Sequence, residues 1–200
     1  MRNLLVFFCL LLFFFCGSAP RKGGDGPVKW KPNLLKSDFD TEPLQIYSGL
    51  KIVIPPFTDS RENKSLIGSV DPDRIAGGEL VPLTTTQDIA RWCRSGMLSA
   101  LDYLGIESSK EGDLIIECEV TRFFISEEMN QRSEIDLRVS IRNSSGMLIW
   151  EGNTRGSSEL YLRPQGSDGV WECFSNTMIY TVYNFLTESS VRDAVIKSRE

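Results

Sequence analysis

No histidine occurs anywhere in the 200 residues. That removes the usual general base, the commonest metal ligand and the side chain that titrates near neutral pH. Cysteine is scarce: beyond the N-terminal Cys9 and Cys16 there are only Cys93, Cys118 and Cys173, each standing alone. Without a C-x-x-C pair, neither zinc nor dithiol redox chemistry is expected. Positive charge is in deficit, with 22 Lys and Arg against 27 Asp and Glu and a net charge of −5. A nucleic-acid partner is therefore not expected. No phosphate-cradling loop is present either, because "IAGGEL" (75–80) has no basic or Ser/Thr follower. No cofactor and no metal are expected.

What is there begins at the N-terminus. Met1, Arg2 and Asn3 form a short basic region, and Leu4 to Phe15 follow as twelve residues without charge or amide, the layout of an export signal. Twelve residues make about 18 Å of helix, well short of the ~30 Å hydrocarbon core of a bilayer. The run then reaches Cys16 and turns small and proline-bearing in "CGSAP". A lipoprotein signal leaves a cysteine at the new N-terminus, where its thiol takes a diacylglycerol; Phe13, Phe14 and Phe15 depart from the small residues usual before that cut. Ordinary signal peptidase needs small side chains one and three residues before its cut, which Cys16 and Ser18 supply for release at Ala19. Lipidation at Cys16 is the leading expectation, with soluble secretion and an uncleaved anchor as alternatives. All three put the folded part outside the cytoplasm, in the cell envelope or secreted.

The remaining length suits one domain with a real core. Residues 1–16 read as signal, 17–44 as a Gly- and Pro-rich tether and 45–200 as a single α+β domain. Within the tether, Arg21, Lys22, Lys29 and Lys31 suit either a solvated linker or contact with anionic headgroups. "LKIVIPPF" (50–57) is a strand closed by two prolines, and 58–85 reads as a long connection of the functional kind. "TTTQDIARWCRSGMLSALDYLGI" (84–106) spaces Ile89, Trp92, Cys93, Met97, Ala100, Leu101 and Leu104 on one helical face, with capping residues before it and Gly105 to stop it. Strands are expected over 113–124 and 133–143, the second alternating Ile135, Leu137, Val139 and Ile141 against Glu134, Asp136, Arg138 and Ser140. "NSSG" (143–146) turns into a partner strand, and 169–200 returns to helical spacing through Trp171, Phe174, Met178, Val182, Phe185 and Leu186. The order βαβββα predicts a two-layer α+β sandwich, a mainly antiparallel sheet with two amphipathic helices on one face.

Candidate sites are few. Asp59 and Arg61 follow the first strand and, with Asn63, are the candidate partner contact; an Asx-type turn with a surface ion pair explains the same residues. Glu117, Glu119, Glu134 and Asp136 suit a solvated face better than acid–base work. Lys64 beside Ser65 lacks the Ser-x-x-Lys spacing of a catalytic pair. Cys93, Cys118 and Cys173 allow one disulfide or burial as small hydrophobes.

"DSREN" with "LIGS" after it (59–69), "LDYLGI" (101–106) and "NTMIYTVYNFLTESSVRDAV" (176–195) resemble the YajG-like family of small bacterial lipoproteins. The resemblance implies a tethered, non-enzymatic binding or assembly component of the envelope, with an envelope protein or lipid as partner. A secreted hydrolase using Ser or carboxylates, and a subunit of a larger envelope transport complex, are the alternatives.

Overall fold

A computed structural model describes residues 29–71, 80–127, 130–161 and 167–199. The signal and Cys16 lie outside them. The centre of the fold is β5 (Leu114–Glu127), flanked by β6 (Gln131–Asn143) and β7 (Leu148–Leu160) in an antiparallel meander. The Ile135, Leu137, Val139 and Ile141 side chains are fully buried, as the alternation predicts; each removes about 1.5–3 kcal/mol worth of apolar surface from water. In β5 the buried parity switches, from Leu114, Ile116, Cys118 and Val120 to Phe123, Ile125 and Glu127. A bulge between Val120 and Arg122 inserts one residue and re-aims the rest of the strand.

The other side of β5 carries three short strands in succession, all parallel to it: β1 (Ile52–Val53), β2 (Thr58–Asp59) and β3 (Leu66–Val70). Pro55 and Pro56 interrupt the first run as expected, because they have no N–H to give the ladder. The chain then returns to the same edge. Thus 58–85 is not a connection: it holds β2, β3 and β4 (Val81–Thr84), with β4 antiparallel to β3 at the sheet margin. Gly68 of β3 sits where a Cβ would overlap the Ile125 carbonyl. The sheet runs β4-β3-β5-β6-β7, and with β1 and β2 it is seven-stranded and mixed.

One face of this sheet is covered by α1 (Ile89–Tyr103), α2 (Ser167–Thr187) and α3 (Ser189–Lys197), which gives the α+β two-layer sandwich. Asp88 caps α1, accepting from Arg91 N at 3.0 Å, and Gly105 ends it at φ +80°. The single C-terminal helix of the sequence reading divides at Glu188, and α3 turns to bury Val191 and Val195.

The tether expectation fails for 29–44, which belong to the folded body. Trp30 packs beside Trp92 at 6.3 Å, and Phe39 contacts Tyr103, Tyr180 and Tyr183. Lys31 N donates to Ser175 Oγ at 2.9 Å, Asn33 N to Asn176 Oδ1 at 3.0 Å, and Tyr103 Oη to the Leu34 carbonyl at 2.6 Å. This strap explains why α2 is buried nearly all round between Val170 and Val182, even at Ser175 and Asn176. An amphipathic helix needs one covered face; α2 is covered by sheet, α1 and strap.

Candidate functional site

Asp59 lies at the end of β2 and Arg61 just beyond it, and the turn brings them together. The guanidinium grips the carboxylate in two-point fashion, Nε to Oδ1 at 3.0 Å and Nη2 to Oδ2 at 2.9 Å. Nη1 donates to the Leu66 carbonyl at 2.9 Å, Nη2 to that of Lys64 at 2.8 Å, and the group lies over the Phe123 ring. The Asx turn is present, Arg61 N donating to Asp59 Oδ1 at 3.1 Å, but the pair is no surface pair: the two side chains are 7% and 10% exposed. Burial draws the Asp59 carboxyl upward, yet its hydrogen bonds and attraction to Arg61 together hold it below the usual range. Asn63 is exposed and organises the next turn, its Oδ1 accepting from Ser65 N and Oγ and from Leu66 N. Arg61 is a lock between β2, β3 and β5; Asn63 faces solvent.

Chemistry elsewhere is quiet. Cys93, Cys118 and Cys173 are free thiols in the core, so the disulfide alternative is not realised. Burial pushes all three upward in pKa, the shift at Cys173 being moderated by hydrogen bonding to Ser133. Among the described residues no group of three or more His, Cys, Asp or Glu is placed to hold a metal. Glu117, Glu119, Glu134 and Asp136 stand on the wet face of the sheet and are paired: Arg142 with Glu117 at 3.1 Å, Arg138 with Glu119 at 2.7 Å, Arg122 with Glu134 at 2.7 Å and Arg155 with Asp136 at 2.6 Å. None of these four lines either of two cavities, the larger of which lies beside β7.

There a groove of about 460 Å³ opens, within the size range of ligand sites. Ser157 to Leu160 of β7 form one side and Asn33 and Leu34 of the strap the other, with Asn176 and Tyr180 of α2 and Arg132 of β6 completing it. A second, smaller cavity of about 220 Å³ lies where the 3-10 helix Glu42–Tyr47 meets the loop after α1. Sequence reasoning missed the groove, since no motif marks it; its walls come from four separate segments, the strap, β6, β7 and α2. The trace it left in the sequence is the polar stretch Ser175-Asn176-Thr177 within the helical run, of which Asn176 lines the groove.

A mixed sheet with its helices on one side and an open, charged face on the other defines this as an α+β sandwich protein. No protein-family model matches the chain, and no curated protein matches it. Among solved structures it is similar to protein XCC0632 from Xanthomonas campestris, of family model DUF330, at 14% identity and TM-score 0.51 over 76% of this chain and 89% of that one. It is more distantly similar to the PelC dodecamer from Paraburkholderia phytofirmans (11% identity, TM-score 0.40, 68% and 86% covered). A third is lipoprotein GNA1162 from Neisseria meningitidis (8% identity, TM-score 0.32, 67% and 98% covered). The likeness to XCC0632 is one of fold. Among the described residues no helix is long and apolar enough to cross a membrane.

Proposed function

We propose that this chain is a non-enzymatic component of the bacterial cell envelope, related to the YajG-like lipoproteins, held to a membrane by a lipid on Cys16 and acting by binding a partner. The observation that carries the reading is the strap. An export-type signal runs into Cys16, and from Trp30 the chain is fastened to α1 at Trp92 and to α2 at Ser175 and Asn176. A lipid at Cys16 would thus hang on residues 17–28 from a rigid body rather than from a loose end. Buried thiols and paired carboxylates support a binding role over the hydrolase alternative, because neither offers an activated nucleophile.

For the contact expected at Asp59, Arg61 and Asn63, the exposed part is the turn around Asn63; Arg61 serves it from beneath by donating to the Lys64 and Leu66 carbonyls. The test is the intact mass of the mature N-terminus, wild type against Cys16→Ala, in a host of the native kind. Diacylglycerol on a Cys16 terminus is the expected result. A free Ala19 terminus would overturn the tether and leave a secreted domain; turnover of ester, glycan or peptide substrates would overturn the non-enzymatic reading.

A further inference from the structure

The sheet has two margins, and a margin presents unpaired N–H and C=O groups that proteins normally guard. At β4 the guard is Pro82. It stands opposite Ser69 in the β3 ladder and has no N–H, so this four-residue edge cannot offer a regular donor row to an incoming strand. At the first half of β7 the guard is helical. Asn184 of α2 donates Nδ2 to the Arg155 carbonyl at 2.9 Å, and Trp150 reaches Ser190 of α3 at 3.0 Å.

The second half of β7 has no such guard among the described residues. In an antiparallel strand, the N–H and C=O of one residue point to the same side, and successive residues alternate sides. The Arg155 carbonyl points away from β6, since Asn184 reaches it there. The same parity turns Ser157 and Glu159 outward, while Gly156, Ser158 and Leu160 face β6. Their outward side chains are exposed, and this is the stretch that lines the 460 Å³ groove.

We infer that the Ser157–Leu160 edge and its groove receive an extended segment of another protein, which adds to the sheet as a strand beside β7. The inference deepens the binding reading proposed above and rests on it. Main-chain donors and acceptors in alternation are what an extended peptide complements, whatever its side chains. Specificity would come from the groove: Arg132 and Glu159 oppose each other across β6 and β7 and favour a polar segment without strong net charge, while Asn33 and Asn176 bond each other in its wall. A second copy of this chain is disfavoured in the register centred on Glu159. Antiparallel pairing of two such edges about a two-fold axis at Glu159 would set the two Glu159 carboxylates opposite one another, an unfavourable like-charge pair. The β4 edge of a second copy is closed by Pro82.

The test uses the full-length mature protein and a random twelve-residue peptide library displayed on phage. Selected peptides are expected to slow exchange of the Ser157 and Glu159 amides by at least about tenfold. Glu159→Pro removes one outward N–H and no β6 bond, and should weaken binding by about tenfold or more; Glu159→Ala keeps the N–H and should stay within about threefold. If Glu159→Pro does not fold, selected peptides N-methylated at alternate residues put the same question to the wild-type protein. Peptides that protect other amides, or that ignore both proline and N-methylation, overturn the inference. So does a self-association by size exclusion that Glu159→Pro abolishes. A native partner that co-purifies with the wild type and equally with Glu159→Pro would sink this edge while leaving the binding reading standing.

Discussion

Arg61 is the side chain on which most depends locally. Its replacement by Ala would strand the Asp59 carboxylate beneath the Asn63 turn and leave the carbonyls of Lys64 and Leu66 without donors. Removing one partner of a buried pair typically costs about 3–5 kcal/mol. Arg61→Ala should therefore lower the denaturant midpoint sharply, whereas removing Arg138 from its exposed pair with Glu119 should cost less than about 1 kcal/mol. A chemical-denaturation series on the two variants checks the contrast. The same pair sets an acid limit. Because the Asp59 carboxyl is lowered on folding, its contribution is fully present above the unfolded value of about 3.9 and is lost as pH falls through the lower folded value. Melting curves should show the wild type losing stability in that acid window, with the Asp59→Asn variant flatter across it. The three core thiols should be silent toward an aromatic disulfide reagent in the native protein and all should react in denaturant.

The elements meet most closely where β7 crosses α2. A Cβ on Gly156 would overlap Thr181 and the Thr177 carbonyl, and Thr154 Oγ1 bonds the Thr181 carbonyl at 3.2 Å from the same strand. Overpacking of this kind costs about 1–3 kcal/mol; Gly156→Val should lower the melting temperature by several degrees without changing the far-ultraviolet spectrum. The strap is the second such element. Trp30 fills the space over α1 and α2 beside Trp92 and Gly96, so Trp30→Ala should destabilise by roughly 2 kcal/mol. A strap acting only as a linker would let Trp30→Ala pass unnoticed in a thermal melt.

For the molecule as a whole, the consequence is a body with two unlike sides. The helices and strap form one, and the charge-laddered sheet face forms the other, with the open β7 edge between them. A deletion of residues 29–35 would leave the domain joined to Cys16 and its proposed lipid. It should uncover Ser175 and Asn176 on α2, opening the groove and lowering stability together. Loss of stability without any change in membrane attachment is the expected outcome, read by thermal melt and by fractionation.

Periodicity within a dozen residues was enough to place α1, the β5–β6–β7 meander and the helical C-terminus, because each buries one face and repeats it at 3.6 or 2 residues. Capping and turn residues marked their ends, down to Gly105. The run 50–57 announced β1, but β2 and β3 carry no such signature: two and five residues long, they exist because β5 offers a long parallel edge, which is a property of a partner more than forty residues away. For the same reason 58–85 reads as a loop, and Arg61 as a surface charge. A polar segment such as Lys29 to Asn33 looks like linker until the helix it covers is in place, and among the described residues the outward backbone of Ser157 and Glu159 meets no further strand because β7 ends the sheet. Local sequence dictates which faces must be hidden from water; which segments do the hiding, and which backbone groups are left without a neighbour, is decided only when distant parts of the chain are brought together.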